Sequence, residues 1–565
     1  MLIIWHIREW LLLLLLTVLK REIPMYKFMK KFLGKRQAGL NDQINNGLLK
    51  NGLNSKGVPM SEKTMIQVPL NRVEGDLEIR AEVKDGYVVN AWSSGTMYRG
   101  FESILQGRGA LDGLVITPRI CGICNTSHLA AAAGALNMIG NVSHPPDALK
   151  MINLVHMTEQ IQSDIRHGFL MFTPDFINPA YKNLPNFEEA VYRYSPFKGK
   201  TVVQVIRETK KVLEIAAIIG GQWPHSSFIV PGGIVSNPDN TDILKCRMIL
   251  EQYKKWYEKQ ILGCPVERWA EVQSIDDLKI WLKEKDAHRQ SDLGFYIQYA
   301  QEIGLDRIGK GHENFISYGA YEIPENSHVK GMENSSHLIS PGFFSKGQIN
   351  PFKQEHISEH VAASWYVDYD RGKHPFEGET RPFASGKQGN KYSWAKAPRY
   401  QDIPAETGPL ADMIISGQKL FCDYCDKKGT DVFIRELARL TRPAFMMPVM
   451  ETWLLEASVS GTSGRQKFYI SPGEITEGQG FGLTGAARGS LGHWVSIKDS
   501  VIEHYQIITP TAWNLSPRDS DQVRGPAEEA LLGTEVTDTS NPVKLGHVIR
   551  SFDACLVCTV HAINI

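Results

Sequence analysis

Two pairs of cysteines near opposite ends of the chain constrain its fold more than any other feature. The segment RICGIC contains Cys121 and Cys124, and the segment DACLVC contains Cys555 and Cys558. Four thiolates complete one metal site if the fold brings the two pairs together. Structural zinc usually joins neighbouring segments of a small loop. Pairs separated by most of the chain therefore favour a catalytic metal site inside a large fold, with structural zinc as the alternative.

The composition excludes several classes of protein. The chain has 565 residues, with 62 Lys and Arg residues against 62 Asp and Glu residues, so its charge does not indicate a nucleic-acid partner. Its eight cysteines are too few for a disulfide scaffold of this length. Cys422 and Cys425 form a third pair that offers only two ligands, and Cys246 and Cys264 stand alone in or beside helical segments. We expect no metal role for these four thiols.

Residues 1–64 are predicted to be a leader that precedes the folded domain. The apolar run from Leu11 to Leu19 is shorter than the roughly 20 residues that span a bilayer, and no small-residue cleavage site follows it. The run is either the product of a start codon assigned too early or a peripheral membrane anchor. Residues 30–60 are rich in Lys, Gly and Asn, which is typical of an unfolded segment.

The hydrophobic pattern predicts an α+β fold that is predominantly helical. Alternating apolar residues from Leu77 to Val83, followed by a turn at Asp85 and Gly86, predict a hairpin near the start of the folded body. Residues 127–140, 147–172, 201–219 and 240–262 are helical in composition. Several helices of about 20 residues imply a central bundle of long helices, with small antiparallel sheets at its periphery.

The second half of the chain is more varied. Residues 325–400 combine many Gly, Pro and aromatic residues with weak periodicity, which indicates an irregular region with short strands. A helix is predicted around residues 430–441. Near the end, HWVSIKDSVIEHYQII predicts a second hairpin with its turn at Lys498 and Asp499.

The two cysteine motifs and several other segments resemble those of a known protein family. RICGIC followed by His128, together with DACLVCTVH at the C-terminus, resembles the large subunit of nickel-iron hydrogenases, in which an RxCGxC motif pairs with a terminal DPCxxCxxH motif. The resemblance extends to NRVEGDLEI, YRGFE, KYSWAKAPRY, GPLADM, ARGSLGHW and TPTAWNLSPRD. It covers the chain from about residue 65, so that residues 65–561 are predicted to form the catalytic domain.

The resemblance implies a nickel-iron centre that oxidises dihydrogen reversibly to protons and electrons. Nickel is assigned to the thiolates of Cys121, Cys124, Cys555 and Cys558. Cys124 and Cys558 would also bind an iron that carries cyanide and carbon monoxide. Soft thiolates suit nickel and can accept a proton, and in the family that proton goes to the residue matched here by Cys555.

The resemblance also implies roles for charged residues near the centre. Glu74 in RVEG matches a glutamate that relays protons from the thiolate. Arg488 in AARG and Asp553 in DAC match charged residues that cover the open metal position, where an arginine can polarise a ligand or anchor a cyanide nitrogen. Ser163 stands where many members of the family carry a further Asp of this cover, and Asp164 is adjacent, so neither residue is assigned to that place.

A magnesium ion near the centre is implied as well. Its ligands would be the carboxylate of Glu102, the backbone carbonyl of Ile507 and the imidazole of His561. An imidazole is an unusual ligand for magnesium, so the identity of this metal rests on the resemblance and not on the ligand types.

Three positions depart from the family pattern. Ala554 and Ala487 replace prolines, which makes the turns before Cys555 and Arg488 less rigid. Asp76 replaces a common histidine, which favours uptake-type or sensory members. The predicted location is the cytoplasm, with association to the cytoplasmic membrane through a partner or the N-terminus left open.

Partners and processing follow from the same resemblance. No ferredoxin-like run of cysteines occurs in this chain, so an iron-sulfur small subunit is expected to receive the electrons. Residues 562–565, which follow His561, resemble an extension that a maturation endopeptidase removes. The alternative functions are a hydrogen sensor and a homologue of the quinone-site subunit of respiratory complex I that lacks nickel.

Overall fold

The structure is a computed structural model that describes residues 63–332, 335–383, 389–462 and 467–559. These residues belong to one compact unit, Glu62–Ile565. Most of the predicted leader, the proposed magnesium ligand His561 and the predicted extension 562–565 lie outside the described residues. No helix in the described part of the chain is both long enough and apolar enough to cross a membrane.

The folded body begins with a three-stranded antiparallel sheet. Its strands are β1 (Thr64–Leu70), β2 (Leu77–Lys84) and β3 (Tyr87–Gly95), paired in that order. The apolar residues of β2 are all buried and alternate with partly exposed or exposed charged residues, as the pattern predicted. Asp85 and Gly86 both have positive φ angles, of 52° and 81°, which suits the tight turn between β2 and β3. The predicted hairpin is confirmed.

Helices dominate the middle of the chain. The first group is α1 (Phe101–Leu105), α2 (Gly113–Ile116), α3 (Asn125–Ile139), α4 (Pro146–Arg166), α5 (Phe187–Tyr194), α6 (Lys200–Val212) and α7 (Glu214–Gly220). After the short strands β4 (Ile229–Val230) and β5 (Gly233–Ile234) come α8 (Asn240–Trp256), α9 (Val266–Ala270), α10 (Ile275–Glu284), α11 (Asp286–Gln290) and α12 (Asp292–Ile303). A π-helical turn extends α4 through His167–Phe172, and a second extends α8 through Tyr257–Leu262.

The remaining elements alternate between small sheets and helices. A three-stranded sheet and a strand pair are built from β6 (Phe315–Glu322), β7 (His337–Ser345), β8 (Gln348–Asn350), β9 (Ile357–His360) and β10 (Ala397–Tyr400). They are followed by α13 (Pro409–Ile415), α14 (Lys419–Lys428), α15 (Val432–Thr462), β11 (Gly478–Ala486), β12 (Gly489–Lys498) and β13 (Val501–Ile508). The chain then forms α16 (Pro510–Asn514), α17 (Pro526–Ala530), α18 (Val543–Ser551) and α19 (Leu556–Thr559).

The core is a bundle in which α4 and α8 both pack against α15. Helix α4 is buried on nearly every face, including polar residues such as Glu159 and Asp164. A helix buried all round lies at the centre of a large protein, and its buried polar groups need partners there. The predicted helical bundle with small antiparallel sheets is confirmed.

Helix α15 is longer than the sequence predicted. It continues from Val432 to Thr462 and contains Pro443 and Pro448. A proline inside a helix removes one backbone hydrogen bond and favours a helix end, and the predicted helix stopped at residue 441, before both prolines. Burial of the flanking residues Met446, Met447 and Met450 keeps the helix intact across both prolines.

Helix α3 packs unusually close to strand β11. A Cβ atom on Gly482 would lie 1.8 Å from the carbonyl oxygen of Ala131, and one on Gly480 would lie 2.1 Å from that of Ala135. Only glycine allows this approach. The contact fixes α3, and with it Cys124 at the N-terminus of α3, against the sheet formed by β11, β12 and β13.

Candidate metal centre

The fold brings the two cysteine pairs into one buried cluster. The Sγ atoms of Cys121 and Cys555 lie 3.7 Å apart, those of Cys124 and Cys558 lie 3.3 Å apart, and those of Cys555 and Cys558 lie 3.0 Å apart. All four ligand atoms lie within 4.8 Å of one another. Within the described ranges, no other group of three or more His, Cys, Asp or Glu side chains is arranged to hold a metal ion.

The chemistry of this donor set fits a soft metal ion. Hydrogen bonds, first with Cys124 and then with Cys555, lower the pKa of Cys121. The pKa of Cys124 is raised by the contacts of Cys124 with Cys121 and Cys555. Burial, followed by the other sulfur atoms, raises the pKa of Cys558. Cys121, Cys124 and Cys558 therefore do not all ionise by themselves, whereas a bound cation would stabilise their thiolates. Their spacing is compatible with metal-sulfur bonds of about 2.3 Å.

Backbone pairing around Glu74 holds the C-terminal pair in place. The N–H of Glu74 donates to the carbonyl of Ala554 at 3.1 Å, and the N–H of Leu556 donates to the carbonyl of Glu74 at 2.6 Å. Gly75 has a φ of 88°, and a Cβ atom there would lie 2.9 Å from the backbone nitrogen of Val557. These contacts restrain the turn in which alanine replaces the family proline.

Arg99 ties the two cysteine motifs together. Its Nη1 donates to the carbonyl of Ile120, directly before Cys121, and to the carbonyl of Val557 at 3.0 Å, directly before Cys558. A guanidinium with several donors can bridge two loops in this way. Arg99 lies in the YRGFE segment that supports the family resemblance, but no pattern in the sequence singles this residue out.

Glu159 fixes the helix that begins after Cys124. Its carboxylate accepts hydrogen bonds from the backbone N–H groups of Thr126 at 3.0 Å and Ser127 at 3.3 Å, and from Nδ2 of Asn125 at 2.8 Å. A carboxylate at a helix N-terminus satisfies N–H groups that have no partner within the helix. Burial raises the pKa of Glu159 to about 7. The sequence did not identify this residue, because its partners are distant along the chain.

The carboxyl-bearing residue Glu74 lies beside the sulfur cluster. It is partly buried, and burial followed by the charge of Cys121 raises its pKa above the usual value. Arg488 and Arg99 oppose that shift. A carboxyl group whose pKa is raised toward neutrality is suited to accept and release protons.

Arg488 lines a small closed cavity next to the sulfur atoms. The cavity measures about 10 Å³ and is also lined by Cys124, Cys555 and Cys558. The Nε of Arg488 donates to both the backbone carbonyl and Oδ1 of Asp553, each at 3.0 Å. The ion pair therefore holds the guanidinium of Arg488 at the cavity, beside the sulfur atoms.

Further charged side chains form a buried network behind Asp553. The other carboxylate oxygen of Asp553, Oδ2, accepts from Nη1 of Arg439 at 3.1 Å, and its Oδ1 lies 3.0 Å from Nδ1 of His167. Arg442 bridges the carboxylates of Asp164 and Asp412, with each contact at 2.7 Å. Asp164 is thus the acidic residue of α4 whose carboxylate joins this network.

Removal of the Asp553 charge is expected to destabilise the protein strongly. Asp553→Asn leaves the buried guanidinium groups of Arg488 and Arg439 without their carboxylate, which typically costs about 3–5 kcal/mol. Burial opposes ionisation of Asp553, but the neighbouring groups, led by Arg488, outweigh it and hold its pKa far below the usual range. Since the pKa is depressed on folding, the stabilisation is present above about pH 4 and is lost only as the pH falls further.

Urea unfolding at pH 5 and pH 7 checks this prediction. The difference in free energy between wild type and Asp553→Asn should be the same at both values. Asp286→Asn is the control, because Asp286 is exposed and its ion pair with Arg289 lies on the surface. Equal stability of wild type and Asp553→Asn would mean that the network does not depend on this carboxylate.

Two of the three predicted magnesium ligands lie together. The Oε1 atom of Glu102 accepts the backbone N–H of Ile507 at 2.9 Å. Lys396 is buried nearby, with its Nζ 3.3 Å from Oε2 of Glu102 and 3.5 Å from Oε2 of Glu359. The ammonium group thus balances two buried carboxylates at this place. His561 lies outside the described residues.

The other cysteines are separate from the cluster. Cys246 and Cys264 are buried in the main hydrophobic core, as expected. Cys422 and Cys425 are half-buried on α14. Burial raises the pKa of all four thiols, which keeps them protonated.

Comparison with known proteins agrees with this geometry. The chain matches the family described as nickel-dependent hydrogenase over residues 99–190 and 200–561. It is 31% identical to the periplasmic NiFeSe hydrogenase large subunit of Desulfomicrobium baculatum, over 88% of this chain and 94% of that protein. It is 27% identical to the uptake hydrogenase large subunit of Rhodobacter capsulatus, over 89% of this chain and 96% of that protein.

Solved structures lead to the same family. The Ni-Fe-Se hydrogenase of D. vulgaris Hildenborough in the reduced state superimposes with a TM-score of 0.73 at 29% identity, over 88% of this chain and 100% of that chain. The matched residues include both cysteine motifs that form the buried cluster. The chain therefore belongs to the nickel-dependent hydrogenase family, and it is a large subunit of that family.

Proposed function

We propose that this protein oxidises dihydrogen to protons and electrons at a nickel-iron centre held by Cys121, Cys124, Cys555 and Cys558. The observation that carries the proposal is the convergence of four buried Sγ atoms from the two ends of the chain. When bound, the centre supplies the polarisation and the electron acceptor that separate dihydrogen into two protons and two electrons.

Within the cluster we assign different roles to the cysteines. Cys124 and Cys558, whose sulfur atoms lie 3.3 Å apart, would hold the iron as well as the nickel. Cyanide and carbon monoxide on the iron are part of this proposal. Cys555 would accept the proton at its Sγ atom. Its backbone is paired with that of Glu74, so that Glu74 is the nearby residue that would accept the proton next.

The surrounding charged residues would handle protons and fix charge. Glu74 would take the proton from Cys555 and pass it toward the surface, for which its raised pKa is suited. Arg488 would stabilise negative charge in the cavity and could anchor a cyanide nitrogen by hydrogen bonds. Asp553 would orient Arg488 through its two contacts with Nε.

A magnesium ion is proposed at Glu102, the carbonyl of Ile507 and His561. Support comes from the contact between Glu102 and Ile507, which brings two of the three proposed ligand residues together. Magnesium prefers oxygen ligands, which two of the three residues provide.

The electrons require a partner. An iron-sulfur small subunit is the proposed acceptor, because the relatives of this chain are named as large subunits of hydrogenases and a large subunit implies a small one.

The proposal also includes a maturation endopeptidase that removes residues 562–565. It further includes a cytoplasmic location and contact with the cytoplasmic membrane. Mass spectrometry of the active, nickel-loaded subunit should find a C-terminus at His561, and an intact Ile565 would contradict the proposed processing.

Turnover measured in the purified heterodimer tests the proposed function. Dihydrogen-dependent reduction of a dye acceptor should proceed at the rates of an enzyme and should be absent after removal of nickel. Infrared bands from carbon monoxide and cyanide should accompany the activity. Zinc alone in the cluster would support the structural alternative, and the infrared bands with only very slow turnover would support a hydrogen sensor.

A further inference from the structure

Three buried ring side chains are joined by two hydrogen bonds, and the last of the three lines the cavity beside the sulfur cluster. His128 lies on α3, one turn after Cys124, while His493 lies on β12 and Tyr505 on β13. Their exposed fractions are 1%, 0% and 4%. The close packing of α3 against the β11–β13 sheet brings the three rings together.

The hydrogen bonds run in sequence through both nitrogens of His493. The hydroxyl of Tyr505 lies 2.9 Å from Nδ1 of His493, and Nε2 of His493 lies 3.0 Å from Nδ1 of His128. The ring centroids of His493 and Tyr505 are 5.6 Å apart at an angle of 72°. A neutral imidazole carries a proton on one nitrogen only, so each bond in this chain determines the direction of the next.

Tyr505 sets that direction. Among the described residues, the Tyr505 hydroxyl has no hydrogen-bond partner besides His493. If it accepted a proton from Nδ1, its own O–H would be buried without an acceptor, which costs about 1–3 kcal/mol. The Tyr505 hydroxyl therefore donates to Nδ1 of His493.

The consequence reaches the metal cavity. With Nδ1 accepting, His493 carries its proton on Nε2 and donates it to Nδ1 of His128. His128 must then carry its own proton on Nε2. The ring of His128 lines the small closed cavity together with Cys124, Cys555 and Cys558. It thus provides a hydrogen-bond donor beside groups that carry negative charge when a metal is bound.

We propose that Tyr505 and His493 are positioning residues that hold His128 as the Nε2–H tautomer, so that His128 serves as a hydrogen-bond donor beside the nickel-iron centre. This rests on the proposed function for the identity of the centre. Donors beside ligating thiolates or cyanide stabilise the anionic form and tune the metal. The opposite tautomer would place a lone pair there and repel those anions.

Substitution of Tyr505 by phenylalanine tests the proposal in the assembled heterodimer. Tyr505→Phe keeps the ring but frees His493 to adopt either tautomer. We expect full nickel content, shifted or split infrared bands of cyanide and carbon monoxide, and dihydrogen oxidation lowered about tenfold, as for other partners that orient groups around a metal. Unshifted bands with turnover within about twofold of wild type would overturn the proposal.

Three further variants separate tautomer control from packing. Tyr299→Phe removes a buried hydroxyl that donates to the carbonyl of Phe176 at 3.2 Å, away from the cavity, and should leave the bands unchanged. His493→Gln can accept from Tyr505 and donate to His128, so it should retain the wild-type bands. His493→Leu can do neither and should behave like Tyr505→Phe. Equal spectra for the Gln and Leu variants would contradict the proposed relay.

A readout that needs no metal separates this proposal from the proposed function. Nitrogen-15 spectra of the full chain with ring-labelled histidine should show both His128 and His493 as Nε2–H tautomers, with signals assigned by single substitution. An Nδ1–H tautomer at either residue would refute the relay. If nickel and infrared bands are missing while both Nε2–H signals are present, the proposed function fails and the relay stands.

Discussion

Serine in place of Cys555 is expected to abolish dihydrogen oxidation and to lower the nickel content of the purified subunit. A serine hydroxyl does not ionise near neutral pH and is a hard ligand, so it replaces neither the soft thiolate nor the proposed proton acceptor. Loss of a residue that only orients a metal ligand typically costs 10–100-fold, so loss of a ligand should cost more than about 100-fold. Nickel analysis and the dye-reduction assay measure both effects.

Cys422→Ser is the matched control for this substitution. Cys422 is a half-buried thiol on α14, outside the sulfur cluster. The variant should keep wild-type nickel content and turnover. If Cys555→Ser also kept both, Cys555 would not be a ligand, and the assignment of the C-terminal motif to the centre would be wrong.

Glutamine in place of Glu74 is expected to retain the metals yet lose turnover. An amide of the same size preserves the backbone pairing with Ala554 and Leu556 but cannot carry a proton between the thiolate and the surface. Removal of a positioned proton-transfer group typically lowers the rate about 10²–10⁴-fold. The infrared bands of the centre should remain, since Glu74 is not a ligand in the proposed site.

The control for Glu74→Gln is Asp76→Asn. Asp76 lies two positions along the chain and is exposed, so its carboxylate can be neutralised without changing the cavity. The variant should turn over at the wild-type rate. Unchanged activity in Glu74→Gln would remove Glu74 from the proton path and direct attention to the network around Arg488 and Asp553.

Local patterns predicted the regular elements well. The β2–β3 hairpin follows from alternating apolar residues and a turn sequence that are adjacent in the chain. The long helix α15 was predicted too short, because Pro443 and Pro448 favour an end that burial in the bundle overrides. Tertiary packing, which a local pattern does not contain, decides such cases.

The family was predictable because its motifs are specific. The two cysteine pairs predicted a nickel-iron hydrogenase large subunit, and the family match confirms that prediction. A complex I homologue without nickel and a structural zinc protein are not favoured by these matches. The convergence of the two cysteine pairs in space could only be inferred from the family, because nothing in their spacing along the chain specifies a distance across the fold.

Residues that support the cluster were harder to predict. Arg439 and Arg442 contact the network from α15, and charged residues that stand among the apolar residues of a helix are a signal that was available in the sequence. Arg99 and Glu159 gave no such signal, since each acts on backbone groups that are distant along the chain. The Tyr505–His493–His128 relay depends on three elements that meet only in the folded protein.

X-ray absorption at the nickel edge of the purified heterodimer tests the central claim most directly. Sulfur atoms from Cys121, Cys124, Cys555 and Cys558 should surround the nickel at about 2.3 Å, and substitution of one cysteine from either end of the chain should remove one sulfur contribution. Nickel bound only by nitrogen and oxygen ligands, or a cluster filled by zinc in the active preparation, would contradict a nickel-iron centre shared by both ends of the chain.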